Sequence, residues 1–204
     1  QYQQLNNCNK STILTFENSY HGGSSIVSSI LGGDKRKIDK LSHFYIPNIV
    51  HIPNPSMNDN GKHSLNSINN CIKRGDIAGI MIEGSSGSAG CIQYPDGYLN
   101  KVQELCNQND IILMVDEVMS GWGRTGKLFG YNHSDIDPDI ITTAKGLTCG
   151  YSPLGAMIVD HKISQLYDEN TLNTGLTYYG HPVSCAVANN CLDLYLENDM
   201  EVVK

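Results

Sequence analysis

The chain has 204 residues and a formal net charge of −7, which suits one domain or a large part of one and opposes the basic surplus of a nucleic-acid binder. Its longest uninterrupted apolar run is the five residues 111–115, too short to span a bilayer as a helix. Seven cysteines are scattered without a C-x-x-C pair and the histidines lack helical ligand spacing, so neither a disulfide scaffold nor a metal site is expected, and a reducing compartment, cytoplasmic or mitochondrial, fits best.

Residues 11–16 (STILTF) are predicted as a strand and 19–23 (SYHGG) as a loop. A short strand follows at 48–52, then a polar loop rich in Pro and Asn. Residues 64–75 read as a helix with Gly75 as its stop. The apolar run 77–83 reads as a buried strand that ends on Glu83. Residues 97–110 place Leu99, Val102, Leu105 and Cys106 on one helical face. Strands are predicted at 111–117, 139–145 and 155–159, and a helix at 181–198. Strand–helix alternation with near-continuous apolar strands implies an α/β fold, a mostly parallel sheet covered on both faces. Ligands of such folds bind beyond the carboxyl ends of the strands. Glu83, Asp116 and Lys145 all end or follow a strand run.

Asp116 follows five apolar residues, which places its carboxylate at the sheet mouth. A buried carboxylate needs a partner, and Arg124 is one candidate. A strand ending in Asp-Glu also resembles the magnesium-binding strand of P-loop ATPases, and 121–127 spells G-x-x-x-x-G-K. That reading fails because Leu128 stands where a hydroxyl is required and the loop follows the strand instead of preceding it. Lys145 closes the run 139–144 and is followed by Gly146, Gly150 and Gly155, which let backbone approach a ligand closely. A neutral amine is the nucleophile that forms a Schiff base with an aldehyde. Pyridoxal phosphate needs both features, a lysine for its aldehyde and an acid for its ring nitrogen.

Residues 115–156 (VDEVMSGWGRTGKLFGYNHSDIDPDIITTAKGLTCGYSPLGA) resemble the signature of class III pyridoxal-phosphate aminotransferases of fold type I. The segments 19–25, 78–90, 95–99 and 175–186 are similar to further family segments, so the resemblance covers the chain. It implies a transaminase that moves an amino group from an ω-amino acid or amine to a 2-oxo acid, pyruvate or 2-oxoglutarate, and that works as a homodimer without nucleic acid or membrane. Lys145 resembles the Schiff-base lysine and Asp116 the partner of the pyridinium nitrogen. Val118 and Tyr20 resemble the residues packed on opposite faces of the ring, with His21 beside Tyr20. Glu83 resembles an acid near the cofactor. Thr177 resembles the threonine that reaches the neighbouring subunit's phosphate. Taken singly, Tyr20 suits an ordinary loop, Val118 a core position, and Thr177 a turn; their joint occurrence favours the functional reading. Arg124, inside the matched G-R-T-G, is expected in a structural ion pair.

Two positions depart from the family pattern. Gly84 follows Glu83 where proline is common, which is expected to loosen the loop and shift the acid. Met119 stands where some branches carry glutamine and cannot hydrogen-bond a phenolic oxygen well. The motifs look more like the taurine and ω-amino-acid:pyruvate branches than the ornithine or γ-aminobutyrate branches. Family members are longer, with a phosphate-cradling turn upstream and a small domain with a carboxylate-binding arginine downstream. The expectation is therefore residues 1–204 as a partial large domain, incomplete at both ends. Alone, these residues are expected to hold cofactor weakly and to associate. A truncated, non-catalytic remnant and a relative of the glutamate-1-semialdehyde aminomutases remain alternatives, the latter matching GLTYYGHP (175–182) less well.

Overall fold

The structure, a computed structural model, describes residues 1–33, 43, 46–87 and 89–197. Asn198, the last residue of the helix predicted over 181–198, and Ser88 in the family-like segment 78–90 lie outside the described residues. The described strands are β1 (Thr12–Phe16), β2 (Ile49–Ile52), β3 (Ile77–Glu83), β4 (Ile112–Asp116), β5 (Ile140–Thr143) and β6 (Ala156–Val159). They form one sheet in the order β2-β1-β3-β4-β5-β6. Every pairing is parallel except β5 with β6, which is antiparallel.

The registers decide which side chains share a face. Ile82, Val115 and Ile141 stand in one row across β3, β4 and β5, and all three are buried. Ile82 and Val115 join a core that takes in Leu14, Phe16, Ile80 and Leu113. The helix Tyr98–Gln108 packs Leu99, Val102 and Cys106 into that core, the face its spacing predicts, and Leu105 is partly buried beside it. The helix Lys62–Ile72 adds Ile68. Burying each such aliphatic side chain contributes about 1.5–3 kcal/mol relative to exposure.

Local hydrogen bonds explain where the element bounds shift. The 62–72 helix starts earlier than its apolar pattern because the Asp59 carboxylate accepts the N–H groups of Gly61 and His63, at 3.0 and 2.8 Å. The last helix spans Pro182–Leu196, with proline in its first turn, where a missing N–H costs nothing. A short helix, Ile26–Leu31, has no predicted counterpart. Its signal is the reciprocal Ser25–Ser28 capping box. Strand β5 stops at Thr143, not at Lys145. Lys145 instead opens one 3-10 turn, Lys145–Thr148, with its own φ at +46°.

The loop after β4 is anchored by a buried acid. Glu117 is 0% exposed, and its carboxylate accepts from the Ser120 hydroxyl (2.7 Å), the Gly130 N–H (2.9 Å) and the Tyr131 N–H (2.9 Å). Burial pushes its carboxyl above the usual range, while these three donors pull it back. Glu117→Ala strands three donors at once, and each unsatisfied buried group costs about 1–3 kcal/mol. The variant is expected to lower the unfolding free energy by about 3 kcal/mol or more, read from the denaturant midpoint. An unchanged midpoint would show that the carboxylate does not anchor this loop.

Candidate active site

Glu83, Asp116 and Thr142 form the row next to the core row, so they project from the opposite face of the sheet. They stand at or next to the carboxyl ends of β3, β4 and β5. Three residues beyond Thr142 the chain reaches Lys145. A cleft of about 270 Å³ lies here, lined by Tyr20, His21, Glu83, Asp116, Val118 and Lys145 among others. Six of the seven residues given catalytic or cofactor-binding roles from the sequence therefore meet in one place. Met119 also lines the cleft, and its side chain lies over Gly87.

Asp116 is 9% exposed, and each of its carboxylate oxygens has a partner. Oδ1 accepts the Val118 N–H at 2.9 Å. Oδ2 lies 2.8 Å from His21 Nδ1, whose side chain is fully buried. The geometry assigns the imidazole proton to Nδ1, because a carboxylate can only accept. The partner Asp116 meets is thus the His21 imidazole, not Arg124. Arg124 is exposed and forms no ion pair among the described residues. A carboxylate oxygen can accept more than one donor, so Asp116 keeps acceptor capacity on the cleft side.

Glu83 is 7% exposed, and its Oε1 accepts the Tyr20 N–H at 3.3 Å. The loop behind it is tied, contrary to the expectation from Gly84. The Gly84 N–H donates to the Asp116 carbonyl at 2.9 Å, a bond proline could not make. The Tyr94 hydroxyl donates to the Glu83 carbonyl at 2.8 Å. A Cβ on Gly84 would meet Glu117 Oε1 at 1.9 Å, so this backbone leaves no room there for a side chain.

Lys145 is exposed at the cleft mouth. Thr177 is exposed too and does not join this cleft. It lines a second, larger cleft together with Val118, Thr143, Ala144 and Tyr178. Met81 and Thr142 line the Lys145 cleft without having been singled out. Strand alternation was the available signal for Met81, which stands two residues before Glu83. None of the helices in the described residues is long and apolar enough to cross a membrane.

Comparisons with known proteins agree with this architecture. The chain is 34% identical over 211 residues to gamma aminobutyrate transaminase 2 of Solanum lycopersicum, an alignment covering 96% of this chain and 46% of that protein. Among solved structures, the taurine:2-oxoglutarate aminotransferase of Bifidobacterium kashiwanohense, in complex with PLP and glutamate, matches with a TM-score of 0.88 at 34% identity, covering 97% of this chain and 47% of that one. An (S)-enantioselective omega-transaminase from Thermomicrobium roseum matches with a TM-score of 0.87 at 31% identity, covering 96% and 46%. The chain thus spans about half the length of the relatives it matches. Both γ-aminobutyrate and taurine enzymes stand among them, so similarity alone does not separate those branches. The sequence profile of the family described as Aminotransferase class-III matches residues 1–202. The chain belongs to the class III aminotransferases, a pyridoxal-phosphate-dependent family.

Proposed function

We propose that residues 1–204 are part of the large, cofactor-binding domain of a transaminase that moves an amino group from an ω-amino acid or amine to a 2-oxo acid. The observation that carries this reading is the cleft itself. In it an exposed amine, a buried carboxylate held by two donors, an aromatic side chain and an aliphatic one share a lining. This donor set fits pyridoxal phosphate. When bound, that cofactor supplies an aldehyde and an electron-accepting ring.

Each residue then has a definable task. Lys145 Nζ is the nucleophile toward the aldehyde, and it takes and returns the proton at the substrate carbon. Asp116 keeps a fixed negative charge at the cleft floor, where it favours a protonated ring nitrogen. His21 and the Val118 N–H hold that carboxylate in one rotamer, so no reorganisation is needed during turnover. Tyr20 and Val118 offer the flat surfaces that keep a ring in place. Glu83 supports the Tyr20 backbone through the 3.3 Å hydrogen bond.

Thr177 fits a different task, reaching the cofactor phosphate of a neighbouring copy in a homodimer. It stands in a strongly exposed apolar stretch that includes Leu176 at 69%, Tyr178 at 76% and Tyr179 at 61%. Exposure on that scale suits a surface covered by another chain or segment. All seven cysteines are unpaired thiols, in keeping with a reducing compartment, the cytoplasm or the mitochondrion.

Borohydride reduction of the full-length protein with pyridoxal phosphate is expected to leave a phosphopyridoxyl group on the peptide that contains Lys145. A label on another lysine, or on none, would remove Lys145 from its role. Asp116→Asn places an amide where the charge stood. That variant is expected to remain folded and to keep binding cofactor, while the half-reaction slows by about a hundredfold or more. Stopped-flow rates near those of the wild type would contradict the task given to Asp116.

A further inference from the structure

The backbone of Lys145 has φ at +46°, a left-handed conformation that side-chain-bearing residues avoid. Such a conformation persists only where its surroundings over-determine it. Two aromatic residues grip the chain on either side of this point. Two residues before Lys145, Thr143 Oγ1 accepts the indole N–H of Trp122 at 2.6 Å. One residue after it, the Gly146 carbonyl accepts the Tyr195 hydroxyl at 2.9 Å. Trp122 also covers Gly146 itself. A Cβ built there would lie 2.7 Å from Trp122 Cβ and 3.0 Å from its Cδ1, so only glycine fits beneath it. The Trp122 and Tyr195 rings are in contact, with centroids 5.4 Å apart.

The grip is itself braced. Trp122 has φ at +61°, which for so large a residue is a true outlier. Its N–H donates to the Leu128 carbonyl at 2.6 Å, and its ring meets Phe129 edge-on at 5.4 Å. Phe129 adjoins Gly130, whose N–H is held by Glu117. The loop that leaves Asp116 thus returns to clasp the turn that carries Lys145. Burial pushes the Tyr195 phenol above its usual range, so it stays a donor at neutral pH.

We infer that Trp122 and Tyr195 are positioning residues: they fix the strained Lys145 turn and so set the amine against the Asp116 side of the cleft. This rests on the role proposed above for Lys145. The strain at both residues is then a stored constraint that orients a nucleophile, not a packing accident.

The test separates positioning from plain stability. Trp122→Phe keeps an aromatic ring and removes the N–H; Tyr195→Phe keeps its ring and removes the O–H. For each variant two quantities are measured in the protein: the rate of borohydride-trappable capture of pyridoxal phosphate, and the affinity for pyridoxamine phosphate, which lacks the aldehyde and cannot bond to lysine. Capture is expected to slow by between about tenfold and a hundredfold, with pyridoxamine phosphate affinity held within about twofold. Capture at the wild-type rate in either folded variant overturns the inference. So does a loss of capture matched by an equal loss of pyridoxamine phosphate affinity, which marks a site that has merely loosened. If Trp122→Phe does not fold, Tyr195→Phe decides by the same two readouts. If wild-type Lys145 captures no cofactor at all, the proposed role of Lys145 fails first and the positioning role falls with it.

Discussion

The parallel register of three strands is the constraint on which the site depends. Glu83 pairs with Asp116, and Asp116 with Thr142, although these residues are distant in sequence. A slip of one residue would turn the acids into the core and the isoleucines and valine into the cleft, because side chains alternate between faces. The core row of Ile82, Val115 and Ile141 prevents that slip, since its burial is worth several kcal/mol in total. Hydrophobic packing on one face thereby fixes the position of polar chemistry on the other.

That arrangement concentrates carboxylates in a small volume. Glu83, Asp116 and Glu117 are each less than 10% exposed. Buried acids without donors are costly, and here each has named donors. Glu117 has three and faces away from the cleft lining, which makes it an anchor for the loop 117–131. Asp116 has two and lies at the cleft surface, which leaves it acceptor capacity toward a ligand. Neighbours in sequence therefore differ: one carboxylate holds the loop, and the other lines the cleft. The same loop carries Trp122 to the Lys145 turn, so the acid and the lysine are joined by one continuous set of contacts.

Much of this was legible in the sequence because the strands are short, apolar and bounded by polar residues. Strand β3 falls at its predicted residues 77–83, and β4 ends on the acid singled out at its mouth. Lys145 was legible from its glycine setting, although it opens a 3-10 turn and does not end a strand. Partners were not legible. His21 meets Asp116 across 95 residues of chain, and nothing local to either announces the other. Arg124, nearer in sequence and opposite in charge, stays on the surface. Gly84 was expected to free its loop, yet its own N–H ties that loop to Asp116. Local pattern reports propensity and face; long-range pairing is decided by the sheet.

The role proposed for the cleft requires Lys145 and Asp116 to meet opposite ends of the same bound ring. A crystal structure of the protein with pyridoxal phosphate tests this most directly. Continuous density is expected from Lys145 Nζ to the cofactor, with the ring between Tyr20 and Val118 and its nitrogen within hydrogen-bonding distance of the Asp116 carboxylate. Cofactor bonded to a different lysine, or a ring turned so that its nitrogen faces away from Asp116, would contradict it.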